Sequence, residues 1–201
     1  TGLWRLALRN APKGATVAQT AMALYRNNQG AFGNGNINRL SAGKTLVIPS
    51  SAELFALAGL SPYLAAPPQQ MVDEGEARRL HMVLRSELGP RIAAEVSREA
   101  GVATAEYLLA HRIPKPVQAL LRVLPAALAC RVLLAAIRRH AWTFAGSGHF
   151  EAVAGPPALL TIRDNPLCRG QVSDQPVCDY YAATFEHLFR QLVHRDTRVT
   201  E

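Results

Sequence analysis

The side chains with the widest chemical range gather between His140 and Phe185. His140 opens the run His140-Ala-Trp142-Thr-Phe144, Cys168 lies in Asn165-Pro-Leu-Cys168-Arg-Gly170, and Cys178 leads into Tyr180, Tyr181 and Phe185. An imidazole facing the same way as two aromatic rings can ligate the magnesium of a flat macrocycle while the rings stack on it. The plainer reading of His140 is an imidazole held at a helix C-terminus by the dipole. Upstream, His111 and Arg112 follow Tyr107; the guanidinium can fork onto a carboxylate, or the pair can be a solvated helix end. Two cysteines with nine residues between them form neither a closed zinc site nor an iron–sulfur cluster. Three readings stay open for Cys168 and Cys178: a partial metal site with zinc as candidate, a reactive thiol near a helix N-terminus, or small buried apolar groups. Cys130 belongs to an apolar helix, and His81, His149, His187 and His194 have no partner at motif spacing.

Other chemistry is missing. There is no nucleophile elbow, no metal-binding histidine pair at helical spacing and no dinucleotide fingerprint after a strand. Gly30, Gly33 and Gly35 follow a helix and open a turn, the reverse of a phosphate-binding loop. Carboxylates thin out after Glu106, the next being Glu151. A reductase on this chain would take its electrons from a cofactor, and no segment offers a place for one.

Composition sets the limits of the fold. The chain has 201 residues, 49% hydrophobic and 18% charged, with net charge +7. That is enough apolar material for a packed core. The basic residues are dispersed, which argues against nucleic acid as a partner. Three cysteines are an odd count, unlike a secreted disulfide scaffold. Val117 to Ile137 is the most apolar run, but Arg122, Pro125 and Arg131 interrupt it. Each arginine would cost roughly 2.5–3.5 kcal/mol at a bilayer centre. The run therefore reads as two core helices and no transmembrane span, with an interfacial role as the lesser alternative. The chain starts with neither methionine nor a signal-peptide pattern and reads as an excerpt.

The spacing predicts an α+β fold of helices packed on an antiparallel sheet. Residues 1–50 form a unit of their own: a helix ending near Asn10, a second capped by Thr16 with Val17, Ala21, Leu24 and Tyr25 on one face, and a strand Thr45–Pro49. Glu53 to Leu60 reads as a short helix closed by Gly59, and Ser61 to Pro68 as linker. A capping box at Asp73 and Glu76 opens a helix that Gly89-Pro90 divides. Helices Val117–Val123 and Pro125–Arg139 follow. Period-2 patterning predicts a meander of strands at His140–Phe144, His149–Val153 and Leu159–Arg163, then a helix from about Pro176 to Val193 with Tyr181 and Phe185 on one face.

Two resemblances sharpen this reading. Ala23 to Asn28, Asn36-Ile-Asn38-Arg-Leu40 and Gly43 to Pro49 resemble the LysM-like N-terminal module of FimV-type pilus and polar-assembly proteins. That resemblance implies helices on a two-stranded sheet, here lacking its first strand, and binding to peptidoglycan. From Ala52 onward, Leu64 to Pro68, Tyr107 to Pro114, His140 to Gly148, Asn165 to Gly170 and Cys178 to Phe185 resemble the bacteriochlorophyll-biosynthesis J proteins, the family labelled divinyl-protochlorophyllide 4-vinyl (8-vinyl) reductase. It implies a 4-vinyl-reductase domain, related to a TRAPP subunit, that holds a hydrophobic ligand. Members continue past the position of Glu201 with further cysteines.

The expected organisation is thus a LysM-like module at 1–50, a linker at 51–70 and a C-terminally truncated ligand-binding domain at 71–201. The compartments implied are periplasmic for the first part and cytoplasmic, at the membrane, for the second, so the chain reads as a chimera joined near Ser50-Ser51. The leading functional expectation is binding or delivery of a magnesium-porphyrin or chlorophyllide intermediate through Tyr107, His111, Arg112, His140, Trp142, Phe144, Tyr181 and Phe185. Magnesium chelatase or other pigment-biosynthesis enzymes are the implied protein partners. Reduction of a vinyl group is the alternative, and peptidoglycan or pilus-assembly binding through residues 1–50 is the second.

Overall fold

The computed structural model describes residues 2–10, 21, 24–25, 28–46 and 50–201. These fall into two units, Thr1–Ala93 and Ala94–Glu201.

In the first unit, α1 (Gly2–Asn10) turns Leu3 and Ala7 into a small core with Ala21, Leu24, Ala31 and Phe32. Two 3-10 turns, Gln29–Ala31 and Gly33–Gly35, carry the glycine cluster, and Phe32 bridges to Leu40. The Tyr25 ring meets Phe32 edge to face at 4.9 Å while its hydroxyl donates to the Gly35 carbonyl. The predicted cap Thr16 and most of the predicted strand, Val47 to Pro49, lie outside the described residues.

Helix α2 (Ser51–Leu57) is opened by a capping box that the sequence reading missed. The Glu53 amide donates to Ser50 Oγ at 3.2 Å, and the Ser50 amide donates back to Glu53 Oε2 at 2.7 Å. Gly59 follows with φ +72°, the left-handed stop expected of it. The Ser61–Pro68 stretch holds one helical turn, α3 (Pro62–Ala65). The predicted box at Asp73 does not close. Asp73 Oδ1 accepts from the Gly75 amide at 2.8 Å, but Glu76 is drawn away by the Tyr63 hydroxyl at 2.7 Å.

Helix α4 (Glu74–Tyr107) is broken at Gly89, whose φ of 71° and ψ of 164° are not helical, immediately before Pro90. This is the division expected from Gly89-Pro90. In its first half, burial and the nearby Arg85 push the His81 imidazole down to about 4.

The second unit is built around α8 (Asp179–Leu192). Tyr181, Ala182, Ala183, Thr184, Phe185, Leu188, Phe189 and Leu192 are all buried, more than one face of a helix can supply. It begins three residues after the predicted start. Helices α5 (Lys115–Val123) and α6 (Ala126–Arg139) pack with it around Leu121, Leu133, Leu134, Phe189 and Leu192. Strands β1 (His149–Val153) and β2 (Leu159–Arg163) pair antiparallel, as predicted, and the register sets Phe150 opposite Ile162.

The third predicted strand is absent: Trp142–Ala145 is a helical turn, α7. The Thr143 amide and hydroxyl both donate to the His140 carbonyl, at 3.0 and 2.8 Å, and this closes the turn. Five alternating residues fit either geometry, and the local hydrogen bonds select the helical one. The fold is mostly helical with a two-stranded sheet.

The second half of α4 crosses α8 at Gly101. A Cβ there would run into the Tyr180 carbonyl and lie 3.1 Å from Ala183 Cβ and Thr184 Oγ1. Gly101→Ala is therefore expected to lower stability by about 1–3 kcal/mol in urea unfolding, and a loss below about 0.5 kcal/mol would contradict so close a crossing.

His81 predicts a pH response. Its folded pKa of about 4 lies below the ordinary 6.5, so the unfolded chain takes up the proton first. Stability should be intact above pH 6.5 and fall as pH drops from 6.5 toward 4, by up to about 3 kcal/mol. His81→Gln should flatten that slope in unfolding curves at pH 7 and 4.5. An unchanged slope would place the titration elsewhere.

Candidate functional site

Three sequence blocks far apart in the chain meet in the second unit. The first runs from His140 through Gly148. The α6 helix ends at Arg139, and the His140 amide donates to the Ala136 and Ile137 carbonyls, so the imidazole stands at a helix C-terminus and is exposed. One helical turn later, Gly146 has φ +55°. Gly148 is packed so tightly that a Cβ would lie 2.8 Å from the Arg163 carbonyl and 2.9 Å from that of Ala145.

The second block, Asn165 to Gly170, is a turn organised by its asparagine. Buried Asn165 accepts from the Leu167 amide through Oδ1 at 3.0 Å, and its carbonyl accepts from the Cys168 and Arg169 amides. Arg169 then reaches the first block, donating to Ser147 Oγ at 2.9 Å and to the Asp164 carbonyl at 2.8 Å.

The third block opens α8. Tyr181 donates its hydroxyl to the Phe144 carbonyl at 2.8 Å. The Phe144 ring centroid lies 5.2 Å from Phe150, 6.1 Å from Tyr181 and 5.8 Å from Phe185, in tilted and edge-to-face contacts that suit aromatic quadrupoles. Cys178 lies at the helix N-cap, where the Glu201 carboxylate accepts from its amide at 2.9 Å. Burial raises the Glu201 pKa, and that hydrogen bond opposes the rise.

The candidate residues therefore divide. Phe144, Tyr181 and Phe185 join one packed aromatic cluster. Tyr181 and Phe185 are buried, so these rings face one another. Trp142, two positions before Phe144 on a helical turn, is 65% exposed. The expectation that His140, Trp142 and Phe144 share one strand face is thus corrected, because successive residues of a helical turn rotate by about 100°. His140 and Trp142 present imidazole and indole outward from a turn that the aromatic cluster backs.

Tyr107, His111 and Arg112 form a second group. Leu108–Arg112 is a turn of π-helix closed by the Ile113 amide on the Leu108 carbonyl at 2.9 Å. Such a wide turn leaves neighbouring carbonyls to be satisfied. Buried Gln118 supplies the donors, to Leu109 and Ile113 at 2.5 and 2.8 Å. The Tyr107 and His111 rings lie 4.8 Å apart and Arg112 is exposed. The sequence reading missed Gln118, Asn165 and Arg169 as the groups that position these turns. Asn165-Pro and Arg169-Gly170 were the local turn signals available for two of them.

The sulfurs of Cys168 and Cys178 are 3.3 Å apart. The Asn165 side-chain amide donates to Cys178 Sγ, and Cys168 Sγ donates to the Val177 carbonyl. Two thiolates are half of a tetrahedral zinc shell. Among the described residues no group of three or more His, Cys, Asp or Glu side chains is placed to hold a metal ion. The described residues do not complete a zinc site.

A shallow cleft of about 360 Å³ lies between the second half of α4 and α8, lined by Arg98, Val102, Ala103, Glu106, Glu186 and His187 among others. Much of its charge is already paired: Arg98 with Asp179 at 3.7 Å and Glu186 with Arg190 at 3.0 Å.

With the three blocks placed, their relatives can be named. The chain is 45% identical over 146 residues to the "bacteriochlorophyll synthase 23 kDa chain" of Cereibacter sphaeroides, covering 73% of this chain and 70% of that one. It belongs to that family. The Rhodobacter capsulatus protein of the same name is 42% identical over 135 residues, 67% of this chain and 62% of the relative. A separate stretch of 53 residues, 26% of this chain, is 42% identical to the "motility hub protein FimV" of Pseudomonas aeruginosa and covers 6% of it. Both resemblances drawn from the sequence are thereby supported. No family model matches the chain, and no solved structure matches it.

The thiol pair makes a chemical prediction. Phenylarsine oxide, which bridges close thiols, should bind in equimolar ratio, and Cys168→Ser should abolish tight binding. Equal binding by the Cys168→Ser chain would show that the pair does not act together.

Proposed function

We propose that this chain serves bacteriochlorophyll biosynthesis by binding and delivering a magnesium-tetrapyrrole intermediate. Membership of the bacteriochlorophyll synthase 23 kDa family supports the pathway. The observation that carries the ligand role is that His140 and Trp142 are each exposed on a segment held from behind by Phe144, Tyr181 and Arg169. A neutral imidazole can take an axial position on the magnesium, and an exposed indole can cover part of the macrocycle. Holding both on a clamped turn lowers the ordering cost of binding. Tyr107, His111 and Arg112 form the second contact in this reading, with Arg112 as the fork for a propionate of the ligand. Phe144, Tyr181 and Phe185 act as the wall behind the site.

Reduction of a vinyl group is the second reading, and it would draw on an electron donor supplied from outside the chain. A separate module at residues 1–50 that binds peptidoglycan is a further reading, which rests on the LysM-like resemblance; the 53-residue likeness to FimV supports that resemblance.

Titration with magnesium-protoporphyrin tests the main reading in a Trp4→Phe background, so that Trp142 is the reporter. The Soret band should shift and the indole emission should be quenched. His140→Ala should weaken binding about tenfold, near 1.4 kcal/mol. An unchanged spectrum at concentrations on the order of 10 μM would overturn the proposal.

A further inference from the structure

We propose that the surface of helices α5 and α6 docks on an anionic lipid bilayer. These helices were expected from their sequence to be core, and each buries only one side. On α5, Gln118 and Leu121 are buried, while Val117, Leu120 and Val123 are 41%, 54% and 79% exposed. Those three recur at i, i+3 and i+6, a single stripe along the helix. On α6 the buried side is Ala129, Leu133 and Leu134, and the exposed side carries Leu128, Val132 and Ala135 at i, i+4 and i+7. Single exposed aliphatic side chains are ordinary, but stripes of them on two consecutive helices mark an interaction surface.

Charge selects the partner. From Tyr107 to Phe150 the chain has no aspartate or glutamate. Lys115 stands exposed at the start of α5, and Arg131, Arg138 and Arg139 stand exposed on α6. At 100° per residue, Arg139 continues the Leu128–Val132–Ala135 stripe, and Arg131 and Arg138 border it. Cations interleaved with exposed leucine and valine match an anionic headgroup layer above an acyl boundary. A nucleic acid would use the cations and leave the aliphatic stripes in water. Among the described residues no helix is long and apolar enough to cross a membrane, and the proposed contact is with the bilayer surface. Arg122 has a different task. Its Nε donates to the Gln191 carbonyl at 3.1 Å and ties α5 to the end of α8.

Flotation of the full chain with pigment-free vesicles tests this independently of the tetrapyrrole reading. Vesicles of phosphatidylcholine with phosphatidylglycerol should carry the chain, and vesicles of phosphatidylcholine alone should not. Raising salt from about 0.05 to 0.5 M should release it, because screening shortens the reach of the cations. Replacing Leu120, Val123, Leu128 and Val132 by serine should weaken vesicle binding at least tenfold, with helicity and the unfolding midpoint retained. A second measurement uses Val123→Trp in a Trp4→Phe, Trp142→Phe background. Brominated acyl chains should quench the new indole. Failure to float with the anionic vesicles, undiminished flotation of the serine variant, or no quenching would each overturn the proposal. So would light scattering showing that the serine changes split a dimer, since a second copy of the chain would then cover these stripes.

Discussion

The second unit depends on one close approach. Helix α8 is buried on all sides from Tyr181 to Phe185, so its neighbours there must come near it. At Gly101 the helices meet with no room for a Cβ, and Thr184 Oγ1 sits between the carbonyls of Gly101 and Tyr180 at 3.0 and 2.8 Å. Thr104 and the Tyr180 hydroxyl, 3.0 Å apart, extend the seam. The single hydroxyl proton can go to either carbonyl, so Thr184 ties the two helices together at the crossing. Because α8 is fixed there, its first turn is fixed too, and the Tyr181 hydroxyl reaches Phe144 from a defined place.

That chain of contacts explains why the exposed turn at His140 and Trp142 has a rigid back. Tyr181 holds its carbonyl, Phe150 and Phe185 hold its ring, and Arg169 holds the serine of the following glycine turn. The invested interactions point inward, while imidazole and indole point outward. A surface arranged this way would have little to reorganise on taking up the flat ligand proposed for it. The dithiol pair at Cys168 and Cys178 closes the same region from the side, at the junction between the Asn165 turn and the start of α8.

The sequence reading went furthest where a single physical signal dominated. Gly89-Pro90 divided α4 because neither residue can continue a helix there, and His149–Val153 and Leu159–Arg163 paired because glycine and proline bounded each alternating run. The reading failed where signals competed. Asp73-x-x-Glu76 has the letters of a capping box, but Tyr63 takes the glutamate. His140-Ala-Trp142-Thr-Phe144 alternates like a strand, but Thr143 turns it back on the His140 carbonyl. The apolar run around Val117 to Ile137 has the composition of core, yet composition does not say how many sides of a helix will find a neighbour.

What the sequence determined by itself is the set of blocks, the family they belong to and the positions of the chain breaks. Those are local properties of residue type and spacing. Tertiary structure decided which of the blocks touch and which side chains are left outside. Phe144 and Trp142 are two residues apart, with similar propensities, and nothing local tells them apart. Phe144 is inward because Phe150 on β1 and Tyr181 and Phe185 on α8 arrive from two other segments to receive it, and Trp142 is outward because the helical turn rotates it away. Burial is a relation between distant residues, and only the folded chain supplies the second partner.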